Sequence, residues 1–217
     1  MRVHPRAVYP FNKKLKGNEE KRRNSRAKLS HVGFAKGPRG VPGTALSFYG
    51  QRKSFVEIPN GRRGMLDTIK SITILAWVRY DGRSGPIIQY NRNFRGPQLS
   101  LWMFGPTKLV LRLTTRYNSR KTKSVSANLY RRWNFVGITY EKRTGILKLL
   151  ANRRFKKVYV GKFNLATQFP VRLGAVRGYP KYFRGRVACL QIYGRKLNAW
   201  QIAKRRKKCL SRKFDSH

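Results

Sequence analysis

From residue 45 onward, apolar residues come in short runs separated by Gly, Pro, Asn and charged positions. "ALSFYG", "SFVEI", "SITILAWVRY", "PIIQY", "QLSLWMF" and "KLVLRLTTR" are rich in β-branched and aromatic side chains. So are "SVSANLY", "RRWNFVGITY", "GILKLLANRR", "FKKVYV", "FPVRLGAV" and "GRVACLQIY". Runs of this kind, recurring about every 8–12 residues with turn signals between them, predict an all-β sandwich or barrel. In "KLVLRLTTR", Leu109, Leu111 and Leu113 share one face of a strand, and Val110, Arg112 and Thr114 share the other. Such a strand has core on one side and solvent on the other. "YDGRSG" (80–85) and "YEKRTG" (140–145) place an acid and a glycine where strands reverse. One helix is predicted. Asn198 caps "AWQIAKRRKKC", with Trp200, Ile202 and Ala203 in its apolar part. Basic residues in the last turn complement the negative end of the helix dipole, but five in a row exceed what the dipole requires.

The first 44 residues differ. "NKKLKGNEEKRRNSRAK" (12–28) is charged and aperiodic, which predicts a long mobile loop, and "AKGPRGVPGTA" (35–45) is a Gly/Pro turn region. No internal repeat is visible. The chain therefore reads as one domain: a basic segment over 1–44 with an opening strand and the loop, a β-sandwich over 45–209, and a tail over 210–217. Its 217 residues, 40% hydrophobic and 12% aromatic, suffice for one large β domain with a real core.

Charge changes this picture. Lys and Arg number 51 against 7 Asp and Glu, a formal +44. Surface scaling gives roughly 10,000 Å² for this mass, or about one net charge per 230 Å². Charges ~15 Å apart stand at about twice the physiological Debye length of ~8 Å, so the fold tolerates them at cellular or marine salt. Solubility alone needs a net charge of only about 2–8. The excess predicts long-range attraction to polyanions, nonspecific nucleic-acid affinity included.

No run of 18 apolar residues occurs, so no membrane-spanning helix is predicted. The opening "MRVHPRAVYPF" has no signal-peptide h-region, so a secreted reading makes the chain a mature piece of a longer precursor. Cys189 and Cys209, the two cysteines, are compatible with one disulfide or with two buried thiols.

Five stretches in order carry a resemblance: "AVYPFN", "LSHVGFAKGPRGVPGTALSFYGQRKSFVEIPN", "LDTIKSITILAWVRYDGRSGPIIQY", "WNFVGITYEKRTGILKLLANRR" and "YFRGRVACLQIYGRKLNAWQIAKRRKKC". Together they resemble the laminin-G-like, concanavalin A-like jelly-roll domains of secreted animal extracellular proteins, invertebrate ones among them, and make this chain an unusually basic member. The resemblance implies two packed antiparallel sheets in jelly-roll order, secretion, and a Cys189–Cys209 disulfide. Many such modules bind calcium at a rim. Here Glu57, Asp67, Asp81 and Glu141 are scattered, no oxygen cage can be assembled, and no metal or cofactor is assigned. The turns that usually carry acids in this family read Glu141-Lys142-Arg143 and Gly194-Arg195-Lys196 instead.

Catalysis is not expected. No strand carries two acids of the kind glycosidases place across the scissile bond. Glu19 and Glu20 fall in the mobile loop, and His4, His31 and His217 lie in the N-terminal part or at the C-terminus. Trp77, Trp102, Trp133 and Trp200 read as core, whereas Tyr117, Tyr130, Tyr179 and Tyr182 lie near loops as candidates for exposed contact. The functional signal is the basic clusters. Two are favoured because regular structure adjoins them: Arg153, Arg154, Lys156 and Lys157, and Lys204, Arg205, Arg206, Lys207 and Lys208. Arg116, Arg120, Lys121 and Lys123 form a third polyanion-binding candidate, and Arg131 with Arg132 a fourth. Further runs lie at Lys13-Lys14-Lys16, Lys21-Arg22-Arg23 and Arg62-Arg63. Arginine's planar fork grips sulfate, phosphate or carboxylate bidentately. The expected function is a secreted, non-enzymatic module binding sulfated or acidic polysaccharide of an extracellular matrix. Alternatives are a biomineral matrix protein that binds acidic matrix proteins, carbonate or a mineral surface, and a gamete-recognition protein. Nucleic-acid binding ranks last, because no recognition motif is present.

Overall fold

The computed structural model describes residues 3–60, 62–118 and 122–210, and among them fifteen strands form two antiparallel sheets. The first sheet runs β13 (Arg154–Tyr159), β12 (Ile146–Ala151), β11 (Asn134–Glu141), β6 (Ser71–Arg83), β15 (Arg184–Tyr193), β4 (Ala45–Tyr49), β3 (Val32–Ala35). β1 (Ala7–Tyr9) pairs with β15 further along that strand. The second runs β10 (Thr122–Asn128), β9 (Lys108–Thr114), β8 (Leu99–Phe104), β7 (Gly85–Tyr90), β14 (Val171–Leu173), β5 (Phe55–Ile58), β2 (Lys28–Ser30). Chain order alternates between sheets from β4 to β7, the connectivity of a concanavalin A-like jelly roll.

Alternation decides what fills the space between the sheets. Leu109, Leu111 and Leu113 of β9 stand opposite Met103, Leu101 and Leu99 of β8, and all six are buried. Ile74, Ile138 and Leu149 meet them from the first sheet, in one cluster. β6 breaks the alternation because both of its faces are covered. Ile72, Ile74, Ala76 and Val78 point into the inter-sheet core. Leu75 and Trp77 point outward into a second core with Phe135, Leu150, Leu197 and Ile202. Helix α1 (Ala199–Arg205) closes that second core.

Asn198 caps α1 as the sequence predicts: its Oδ1 accepts the Gln201 N–H at 2.8 Å, and Gln201 Oε1 accepts the Asn198 N–H at 3.0 Å. Only Ile202 of the expected apolar trio is buried. Ala203 is exposed, and Trp200 is 64% exposed with Lys204 Nζ 3.6 Å from its ring centre. At one residue per 100° the helix can turn only one side to the sheet, and Ile202 holds it. The helix ends at Arg205, and the basic run continues as a turn and a short 3-10 segment, Lys208–Leu210.

Cys189 and Cys209 are joined in a disulfide closing a sequence separation of 20, with Cα atoms 5.6 Å apart. The register of β15 against β6 shifts between Ala188 and Gln191, and Cys189 adopts a left-handed φ of 52° there. This bulge lets neighbouring residues serve both cores: Cys189 packs in the cluster under the helix and Leu190 in the inter-sheet core.

Two local expectations change. The strand change expected over 80–85 comes at Ser84, near the end of that stretch, because β6 runs through Asp81 and Gly82 to Arg83. The Asp81 carboxylate is taken by Arg79 at 2.8 Å and Arg186 at 3.0 Å. Glu19, expected in a solvated loop, is buried, and its carboxylate accepts the backbone N–H groups of Val8, Lys21 and Arg23. The 12–28 segment wraps around that charge.

Candidate functional site

The predicted clusters separate into different roles. Arg153, Arg154, Lys156 and Lys157 are exposed on and beside the edge strand β13. Lys204 and Lys207 are exposed on the helix and the turn after it. Arg205 donates to the Val3 carbonyl at 2.7 Å, Arg206 lies 5.0 Å over the Trp77 ring, and Lys208 pairs with Glu20 at 2.9 Å. Arg153, Arg206 and Lys207 line one groove. Lys123 is exposed on β10; Arg131 and Arg132 are exposed ahead of β11, with Arg132 5.1 Å over Tyr130. Arg120 and Lys121 lie outside the described residues.

Arg116 is a correction. It is 3% exposed, and its two terminal nitrogens donate to the two oxygens of buried Asp67 at 2.8 and 2.6 Å. A guanidinium already satisfied inside the protein cannot grip an external polyanion. The Asp67 hydrogen bond raises its pKa.

A site that no charge run marks lies on the outer face of the second sheet. In β14, Val171 and Leu173 face the core, so Arg172 faces out. Its ladder partners are Gln89 on β7 and Glu57 on β5, and Glu57 in turn stands opposite Lys28 on β2. Arg172 donates to Glu57 Oε2 at 3.2 Å, and its guanidinium lies 3.8 Å over the Phe55 ring. Arg92 donates to the other Glu57 oxygen at 2.9 and 3.1 Å. Arg172 is 6% exposed, yet its Nε makes no hydrogen bond to protein. Burial pushes this guanidinium below its ordinary range; Glu57 opposes the shift, and Arg177 and Arg92 add to it.

These residues line a cleft of about 1090 Å³, where Lys28, Arg52, Lys53, Arg92, Arg172 and Arg177 face one carboxylate, Glu57. One wall is aromatic. Tyr179 stacks on Phe94 at 4.1 Å and 15°, and meets Trp102 edge-on at 5.2 Å. The wall is pinned from below. Gln89 donates to the Asn93 carbonyl at 2.7 Å, Gln98 to the Phe94 carbonyl at 2.7 Å, and Trp102 Nε1 to Gln89 at 3.3 Å. Backbone bonds Arg177 N–H to Arg92 carbonyl and Phe94 N–H to Arg177 carbonyl tie the two loops together. Gly174 starts the second loop at φ 86°, where an added Cβ would stand 2.4 Å from the Phe48 ring.

Such a cleft is electropositive, and among its described lining residues Glu57 is the one carboxylate. All six described carboxylates are engaged: Asp67, Asp81, Glu57, Glu141 and Glu20 by cations, Glu19 by backbone N–H groups. Among the described residues no three His, Cys, Asp or Glu side chains group as metal ligands. The site's cations are singletons or a pair (Arg52-Lys53) scattered over 150 positions, so a search for basic runs passes over them. Two signals were available: an arginine between Val171 and Leu173, and a glutamate between Val56 and Ile58, each a charge at the outward position of an apolar strand.

Two antiparallel sheets and a covering helix define a jelly-roll β-sandwich. The chain belongs to the concanavalin A-like lectin/glucanases superfamily, whose laminin G-type model matches residues 50–203. No curated protein matches it. Several solved structures share the fold. The botulinum neurotoxin serotype G binding domain superposes with a TM-score of 0.72 at 13% identity, over 93% of this chain and 50% of that one. The serotype D ligand binding domain, in complex with N-acetylneuraminic acid, gives 0.68 at 14%, over 91% and 49%. Domain 4 of a GH43 extracellular arabinanase from Geobacillus stearothermophilus, in complex with arabinotriose, gives 0.67 at 14%, over 94% and 99%. The chain spans about half the length of the neurotoxin domains it matches.

Proposed function

We propose that this chain is a secreted, non-enzymatic lectin-like module that binds an acidic glycan, with the anionic sugar held in the Arg172 cleft. One observation carries the reading: in this cleft Lys28, Arg52, Lys53, Arg92, Arg172 and Arg177 face a single carboxylate, Glu57. Lys28, Arg52, Lys53 and Arg177 are exposed, so their charges are open to an incoming sulfate or carboxylate. Phe55 and Tyr179 supply flat surfaces of the kind sugar rings pack against. The complexes of related folds with N-acetylneuraminic acid, itself an acidic sugar, and with arabinotriose support a glycan in place of another polyanion. A disulfide agrees with an oxidising, extracellular setting. Residues 1–44, which carry β1, β2 and β3 of the two sheets, belong to this module with 45–209; Arg153, Arg154, Lys156, Lys157, Lys123, Arg131 and Arg132 then act as a diffuse field that draws the polymer in.

Titration calorimetry with heparin and hyaluronan oligosaccharides, against a neutral arabinan oligosaccharide, tests the reading. Acidic sugars are expected to bind. Arg177→Ala with Lys53→Ala, both exposed and harmless to folding, is expected to weaken binding about tenfold, and Arg172→Ala by more. Equal affinity for the neutral sugar, or full affinity in the Arg177/Lys53 double variant, overturns it.

A further inference from the structure

A second groove of about 590 Å³ lies on the opposite side of the molecule's core, between α1 and the hairpin of β12 and β13. Its floor is the outer face of the first sheet, formed by Phe135, Leu150 and Phe155. Ala199, Ile202 and Ala203 of the helix form one wall. Arg153, Arg206 and Lys207 stand along the rim, and none of the six described carboxylates lines it. The wall formed by the helix is anchored. The disulfide, the Trp77 Nε1 bond to the Arg206 carbonyl at 3.1 Å and the Gln191 bond to the Arg205 carbonyl at 3.1 Å hold the helix end in place.

We propose that this groove docks an acidic, amphipathic peptide segment of a partner protein, apolar side chains down and carboxylates on the rim arginines and Lys207. The chemistry selects that occupant. Arg206 is half-buried over the Trp77 and Phe135 rings, at 5.0 and 6.0 Å, and no described carboxylate offsets it. Burial, reinforced by the charge of Arg153, lowers its pKa. Two cations left to repel each other beside an apolar floor are relieved by an anionic group placed between them. A sulfated glycan meets the rim but carries no apolar side chains to fill the space between Phe135, Leu150 and Phe155. Neutral apolar partners fill the floor and leave the rim unpaired. Acidic residues interspersed with leucine or phenylalanine satisfy both. The exposed neighbours Trp200, with Lys204 over its ring, and Lys157 extend the same mixture beyond the groove.

The proposal is independent of the Arg172 cleft, and fluorescence anisotropy separates the two. The probe is a fluorescein-labelled glutamate-rich peptide with interspersed leucines, alongside the same peptide with serine at each leucine. At roughly physiological salt the leucine peptide is expected to bind about tenfold more tightly. Arg153→Glu with Lys207→Glu, two exposed positions, is expected to abolish that difference, and Phe155→Ser to reduce it. Arg177→Ala in the cleft is expected to leave it unchanged. Equal binding of the two peptides, or insensitivity to the Arg153/Lys207 pair, overturns the proposal. So does stronger, Arg153-dependent binding to phosphatidylserine vesicles than to the leucine peptide, which assigns the groove to a membrane surface.

Discussion

Arg116 and Arg172 show how little a residue's type reveals in a chain this basic. Arg116 begins a charged run, yet it is a structural ion paired bidentately with Asp67, each side chain at most 3% exposed. Thr167 donates to the same carboxylate at 2.8 Å and the Arg63 N–H at 3.3 Å. Removing one partner of such a pair leaves a buried, uncompensated charge, so Asp67→Asn is expected to lower unfolding free energy by about 3–5 kcal/mol. Replacing both partners with apolar residues is expected to cost far less. The pH dependence has a defined sign. Burial alone raises the Asp67 pKa, but the bonds from Arg116, Thr167 and Arg63 and the charge of Arg116 outweigh it and hold the group low. With the folded value depressed, the contribution is fully present above the unfolded pKa of ~3.9 and is lost as pH falls through the folded value. Urea midpoints measured from pH 7 downward are expected to stay level to about pH 5 and then decline, with a shallower decline in Asp67→Asn. A wild-type midpoint that falls between pH 7 and 5 contradicts this assignment.

At the scale of elements, the disulfide and the helix act as one latch. In the chain-entropy model, a bridge closing a loop of this length contributes about 3 kcal/mol. Cys189→Ser with Cys209→Ser is expected to lower stability by roughly that amount. It is also expected to free α1 before the sandwich melts, because the cluster under the helix is separate from the inter-sheet core. Hydrogen exchange in 199–209 is expected to quicken while β8 and β9 stay protected; uniform loss of protection argues against a separable latch. This latch, and the strands it covers, were largely legible in the sequence. Alternation marked β9, apolar runs marked β6, β8, β11 and β15, and Asn198 marked the helix start. Of the three-residue strands, β1 fell within the opening strand and β14 within "FPVRLGAV", but β2 was not legible, because three residues hold too little pattern to set a period. The cleft was lost for a related reason. Its cations come from β2, β14 and three loops that only the sheet order brings together, and Arg172 has no basic neighbour in sequence. Trp200 misled in the other direction: a tryptophan reads as core until the rotation of the helix is known.

For the whole molecule, charge and site separate by salt. Forty-four net positive charges spread over 11266 Å² stand about 16 Å apart, roughly twice the Debye length at physiological ionic strength. Below that ionic strength the charges feel one another, so thermal midpoints are expected to rise as salt is added from low values and then level off. The same field is expected to attract every polyanion at low salt, double-stranded DNA and heparin alike, where affinity reports counterion release more than recognition. A site built from a buried guanidinium and aromatic walls responds differently, because buried pairs are screened less. Heparin-oligosaccharide affinity is therefore expected to fall with salt less steeply than DNA affinity and to persist where DNA no longer binds. Substituting Lys156 and Lys157 is expected to flatten both slopes and leave the high-salt limit intact. Substituting Arg177 and Lys53 is expected to remove the high-salt limit for heparin alone. Parallel salt slopes for the two polymers, each indifferent to the cleft, make the protein a charged surface without a lectin site.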